Sequence, residues 1–566
     1  MTLRRIVAVF VAIYLLLVLI DRFVLVELFV RRVGIPILFA AVVALACIGT
    51  GYLVRRLRGD LALNLVIGYP ILGAICFLVG LVHISPWTMV PIVGVLGGVG
   101  LLSAGQTILS VRTGRIACTP LVTTALALIF LAAVIAAQAP PSTLDELAYH
   151  LAVPWSWVKE ARAIDLPLVS HSYFPLGVES ADIPSLSILG TTGGGIASHF
   201  LHLFAAIAVT ALLLRRTRES PILSAAIVAT PALALTAGWS LVDWPLLGVS
   251  LALIDAEDDA TRAAALAAGL LTKYTFLPIA LIAIVVSKRF RGLWPGAVIG
   301  SVYFIRNLIL TGNPVAPFLS ALAPHVAQYR GAYLSDYIFS GTFIDESLGA
   351  SLLMTIPLAV GLLSWALIAL GAVLFAFAPS ARLLVPFVAI PASRALPPTR
   401  PMRALLATAI AVQLFLIAFF VDRSQAFALL SGHLSDERYL AAVRPSTSTV
   451  AALDAALPAR SMTFIIGLSE SYWFQHRVRG GGNFDGPRVS AYLEAGSVDA
   501  LYARLRNDGI THIAVIAAPP PTTDAKKIEE RDTTLSDGAK RTLAQMLDRY
   551  AANVTQRGNA TLFALR

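Results

Sequence analysis

The chain has 566 residues, 57% hydrophobic and 13% charged, with a mean hydropathy of +0.78. A soluble domain carries about 25% charged residues, so this composition excludes an ordinary soluble enzyme and predicts a polytopic membrane protein. The net charge of +10 fits basic residues gathered at cytoplasmic loop ends better than a nucleic-acid partner, and no nucleic acid is expected. Cys47, Cys76 and Cys118 lie in or beside apolar segments, without metal-ligand spacing or a disulfide framework.

Windows of about 20 apolar residues suit transmembrane helices, and the first fall near 6–29, 34–53, 62–82, 86–104 and 118–137. The first has no small-residue cleavage site and reads as a retained helix. Arg4 and Arg5, then Arg55, Arg56 and Arg58, then Arg112 and Arg115 mark one side as cytoplasmic; Arg31 and Arg32 run against that orientation. The loop over 138–195 is then extracytoplasmic. Pro154, Pro167, Pro175 and Pro184 punctuate it. Residues 145–162 have helical spacing, with Trp155, Trp157 and Val158 suited to an interfacial face. Thr191-Thr-Gly-Gly-Gly195 reads as a flexible exit into a span at 198–214.

Further spans are expected near 221–238, 241–254 and 293–310, with one or two more in 349–377 and a last at 403–421. The apolar run 263–286 has basic residues at both ends and is too short for two full crossings, so a broken helix pair around Lys273-Tyr274-Thr275 is predicted. A second outer loop covers 311–347. The Pro- and Arg-rich stretch 379–403 is expected in the cytoplasm, with room for a re-entrant piece at 383–391. The total is about 11–13 transmembrane helices. Three parts follow: additional helices over 1–117, a core over 118–421, and a soluble α/β domain over 422–566 on the outer side. In that domain 463–467 and 511–517 read as strands, 498–507 and 535–550 as helices, and 519–532 as a polar loop.

The candidate chemistry begins with Asp145-Glu-Leu-Ala-Tyr-His-Leu-Ala-Val-Pro154. Asp145 and Glu146 would suit a helix start, where acidic residues complement the dipole. A carboxylate there also suits general-base work. Tyr149 and His150, four residues on, would share its face. Glu179 in Tyr173-Phe-Pro-Leu-Gly-Val-Glu179 is an ordinary loop carboxylate or an acceptor-positioning group; His171 is a weaker candidate. Asp243 in Leu241-Val-Asp-Trp-Pro245 is a functional carboxylate or the structural partner of an arginine. Lys273 at membrane depth needs something to offset its burial, either a bound phosphate at a helix break or snorkelling. Tyr274 adjoins it, and Arg306 is a second phosphate contact or an interfacial anchor. A Walker loop, a zincin pair and a Gly-x-Ser-x-Gly elbow are all absent from the sequence.

Taken in order, Asp145 to Pro154, Pro175-Leu-Gly-Val-Glu179, Val242-Asp-Trp-Pro245, Gly269-Leu-Leu-Thr-Lys-Tyr-Thr275, Thr311-Gly-Asn-Pro-Val-Ala-Pro317 and Gly509-Ile-Thr-His-Ile-Ala-Val515 resemble the GT-C glycosyltransferases, in the branch of bacterial protein O-mannosyltransferases and aminoarabinose transferases. The resemblance implies a multi-pass protein of a bacterial inner membrane with its catalytic loop extracytoplasmic. It implies a donor sugar on a polyprenyl phosphate, delivered from membrane lipid, and a glycan, lipid or protein acceptor. Asp145 would be the base, Glu146 its support, Asp243 a second carboxylate and Lys273 the phosphate contact, with inverting single displacement. A divalent cation would fit beside an acidic loop and a phosphate, but nothing in the sequence requires one, and its ligands are not legible. The resemblance departs at the front, where about four more spans precede the acidic loop. A transporter of lipid-linked saccharide, or a non-catalytic polysaccharide-assembly protein, is the competing reading; the latter predicts scattered outer carboxylates.

Overall fold

The structure is a computed structural model, and it describes residues 30–110, 118–288, 290–318, 348–377, 381–468, 470–480, 485–516 and 535–566. The expected span near 6–29, most of the second outer loop, and the polar loop at 519–532 lie outside the described residues. Among the described residues, six helices are long and apolar enough to cross a membrane: Arg32–Val54, Leu61–Gly80, Pro86–Thr107, Pro120–Ala137, Ile183–Arg216 and Arg400–Arg423. Two bent pairs, Pro221–Val228 with Pro231–Gly238 and Leu293–Gly300 with Val302–Thr311, add two more if each is one span. Shorter apolar helices lie at Phe276–Ser287, Gly349–Leu358, Gly361–Phe375 and Arg382–Ser393. The helices are apolar nearly all round, and Leu281, Trp294, Ile309 and Phe415 are exposed on the outside of the bundle, as lipid contact requires. Close helix packing relies on small residues: at Gly68 a Cβ would sit 1.8 Å from the Cys47 carbonyl oxygen.

Ion pairs define the two ends of the bundle. At one end Arg215 meets Asp60 at 2.7 Å, and Arg216 meets Asp255. At the other, Arg382 meets Asp145 and Arg32 meets Asp436. The helices Asp259–Thr272 and Phe276–Ser287 form the expected broken pair, with Lys273 at the break. Both legs return to the Arg215 end, because Arg262 donates to the Arg291 carbonyl at 3.3 Å and Gly292 abuts Asp259.

Two expectations are corrected. Residues 379–403 are not confined to one end. Helix Ala381–Ser393 starts beside Asp145 and Asp243, while Arg394 just past its other end lies near enough to Arg216 for their charges to interact. Two carboxylates neutralise Arg382, so its charge gave a misleading side. Thr191-Thr-Gly-Gly-Gly195 is not a flexible exit: the helix Ile183–Arg216 runs through it, with one kink at Gly190 (φ 68°). The glycines permit close approach instead, since a Cβ on Gly195 would lie 2.3 Å from Pro141 Cγ.

After helix Arg400–Arg423 the chain forms a small α/β unit. Its five strands are β1 Met462–Ile466, β2 Arg477–Gly480, β3 His512–Ile516, β4 Ala551–Arg557 and β5 Ala560–Leu565, in the order β2-β1-β3-β5-β4. β1 runs parallel to β2 and β3, while β5 is antiparallel to β3 and β4. Helices Val498–Asn507 and Asp537–Tyr550 cover the sheet with Leu501, Leu505, Leu543 and Met546 against Phe464 and Ile513. This unit sits on the Asp145 end: the Ser170 N–H donates to Asp485 Oδ1 at 2.8 Å.

Candidate active site

Asp145 immediately precedes a five-residue π turn, Glu146–His150, followed by helix Ala152–Lys159. π turns recur at functional sites because they re-aim side chains within a helix. Asp145 Oδ2 accepts from Arg382 Nη1 at 3.0 Å, and Arg382 Nη2 lies 3.4 Å from Asp243 Oδ2. One guanidinium thus bridges two carboxylates 98 positions apart in the chain. Asp243 is buried; Asp145 is partly open, with 29% of its side chain exposed. Arg382 is the residue that the sequence reading missed.

Glu146 turns the other way. It is fully buried, and donors surround both oxygens: Thr143 N–H at 3.1 Å and Thr143 Oγ1 at 2.8 Å on Oε2, and Ser240 N–H at 2.8 Å and His199 Nε2 at 2.7 Å on Oε1. Burial works against its charge, but His199 and these donors hold the carboxyl down at about 2. It ties the start of the loop to helix Ile183–Arg216 and the Ser240 turn. It does not share the Asp145–Arg382 contact.

His150 and Glu179 form a buried pair, Nδ1 to Oε1 at 2.8 Å. Burial raises Glu179 above the usual carboxylate range and pushes His150 well below its usual value, so burial favours the uncharged form of each. His150 Nε2 and Glu179 Oε2 have no hydrogen-bond partner among the described residues. Tyr149 stacks on His171 at 4.4 Å and touches the His150 ring at 4.0 Å. The Lys273 charge acts on His150, His171 and Glu179. Lys273 is half-buried at the tip of its hairpin, and among the described residues its ammonium has no hydrogen-bond or ion-pair partner.

Tyr274 and Arg306 are more committed to the fold. Tyr274 Oη reaches the Tyr173 and Ala316 carbonyls at 3.1 and 3.0 Å, and Asn307 Nδ2 donates to it at 2.9 Å. Arg306 Nη1 donates to the Ser172 carbonyl at 2.6 Å, and its guanidinium lies over the Phe77 and Tyr173 rings. Its Nη2 is buried and has no hydrogen-bond partner among the described residues. The structure therefore groups Asp145, Asp243, Tyr149, His150, Glu179 and Lys273 around the π turn, sets Glu146 behind it, and uses Tyr274 and Arg306 to hold the adjoining loops. Among the described residues no three His, Cys, Asp or Glu side chains gather as a metal-ligand set. A cavity of about 280 Å³ lies between Ala148, Ala152 and Ser156 and the β-sheet residues Phe464 and Arg479.

No protein-family model and no curated protein matches the chain. Among solved structures, the chain is similar to ArnT from Cupriavidus metallidurans bound to undecaprenyl phosphate, at 14% identity and a TM-score of 0.42, over 81% of this chain and 98% of that one. The apo structure of the same protein is similar at 14% identity and a TM-score of 0.43, over 82% of this chain and 98% of that one.

Proposed function

We propose that the chain is a membrane-embedded glycosyltransferase that moves a sugar from a polyprenyl-phosphate donor to an acceptor hydroxyl outside the cytoplasm. The observation that carries this reading is convergence. Asp145 and Asp243 share Arg382 at one end of the bundle, and the charge of Lys273, a cation without an ion-pair partner among the described residues, acts on the same His150 as that of Arg382. Scattered carboxylates, as an assembly scaffold predicts, would not meet this way. In the proposed step Asp145 takes the proton of the acceptor hydroxyl. The acceptor oxygen bonds to the anomeric carbon as the bond from that carbon to phosphate oxygen breaks. The electron pair leaves with the polyprenyl phosphate, whose charge Lys273 meets. Arg382 holds Asp145 in place through their 3.0 Å contact. The displacement inverts the anomeric centre.

The test is transfer by the purified protein in lipid vesicles supplied with a panel of radiolabelled polyprenyl-phosphate sugars and membrane-derived acceptors. The reading expects label to pass from at least one donor to an acceptor with release of polyprenyl phosphate. Translocation of intact donor across the vesicle wall, without cleavage, would favour a transporter instead.

A further inference from the structure

The π turn that follows Asp145 is held by a segment more than 300 residues away in sequence. In the turn the Leu151 N–H reaches back to the Glu146 carbonyl, at 3.0 Å, instead of the Leu147 carbonyl four residues back that a regular α-turn would use. The Leu147 carbonyl instead accepts the Ser471 and Tyr472 N–H groups, at 3.0 and 3.2 Å. Both donors belong to the stretch between β1 and β2 of the C-terminal unit. The same stretch is fixed at three further points. Tyr472 Oη donates to the Thr191 carbonyl at 2.6 Å. Trp155 Nε1 and Lys159 Nζ donate to the Phe474 carbonyl, at 3.0 and 2.9 Å, and Lys159 also reaches the His476 carbonyl at 2.8 Å. Tyr472 is buried with Leu147, Leu151, Trp155 and Leu186. A buried carbonyl without a donor is costly, so these contacts favour the π geometry over the regular helix.

We infer that residues 470–476 are a positioning strap. They hold the turn from which Asp145 projects, and so make the C-terminal unit part of the catalytic apparatus without contributing a group to the reactants. This rests on the glycosyltransferase reading for its link to catalysis, but the strap itself is testable without activity. The variants are Tyr472→Phe, which removes one anchor at nearly constant volume, and Ser471→Pro, which removes one of the two N–H donors. The full chain is used in vesicles. Amide hydrogen exchange over residues 146–151 is expected to quicken at least tenfold in either variant while helix Ile183–Arg216 keeps its protection. Transfer is expected to lose at least tenfold in kcat with the donor KM within about twofold. Wild-type exchange at the turn together with wild-type kcat in both variants overturns the inference. So does uniform loss of protection in every helix, which marks a general structural role. If wild-type protein transfers none of the donors, the glycosyltransferase reading fails, and the exchange arm still decides the strap.

Discussion

Arg382 organises the site at the scale of single residues. A guanidinium buried to this degree is tolerated because two carboxylates face it, and removing one member of such a set leaves uncompensated charge. Arg382→Gln is expected to cost about 3–5 kcal/mol of stability, read as a fall in thermal unfolding temperature; Arg382→Lys restores charge but not the two-pronged geometry, and should recover only part. Glu146 is a second residue-scale case. Its folded-state value lies below the unfolded one, so its contribution is present above about pH 4.5 and is lost as pH falls toward 2. Glu146→Gln should therefore unfold more easily at pH 7, and the gap to wild type should narrow by pH 3. The sequence made Asp145, Asp243 and Lys273 legible because charged groups in apolar surroundings stand out. It did not separate Asp145 from its neighbour: which carboxylate faces inward depends on Thr143, His199 and Ser240, and the last two are brought up only by folding. Arg382 was hidden for the same reason, since its partner lies 237 positions away.

Among the elements, the hairpin of Asp259–Thr272 and Phe276–Ser287 was readable. Basic residues at both ends of a run too short for two crossings leave few alternatives. Its tip places Lys273 where non-helical backbone is tolerated because protein surrounds it. Lys273→Met should raise the donor KM at least tenfold while amide exchange at the π turn stays unchanged, checked by initial rates across donor concentrations. The glycines at 193–195 were misread because small residues signal both flexibility and close packing, and only the neighbour decides. Here the neighbour is Pro141. Gly195→Val should cost roughly 1–3 kcal/mol through overpacking, seen as a lower unfolding temperature, and should displace the entry to the Asp145 loop. The π turn itself carried no sequence signal, because what stabilises it comes from residues 471 and 472.

At the scale of the whole molecule, the α/β character of the C-terminal unit and its strands were legible from the change of composition after the last span and from short apolar runs, with β1 and β3 within a residue of expectation. Its placement rested on counting spans, and the count failed at 379–403, where an arginine neutralised by carboxylates does not report a side. Contacts replace that count: Ser170 with Asp485 and Trp155 with Phe474 put the unit on the same end as Asp145. Single cysteines placed at Asp537 and at Lys540, both exposed, should react with an impermeant thiol reagent from the same side of sealed vesicles as one placed at Arg162, and from the opposite side to one at Arg218. The central claim is that Asp145 is the group that activates the acceptor. Its most direct test is the transfer rate of Asp145→Asn beside wild type, in vesicles saturated with whichever donor lipid the wild type uses. A general base contributes on the order of 10²–10⁴-fold, so the variant should lose at least a hundredfold in kcat while still binding the donor; full transfer by Asp145→Asn would contradict the account.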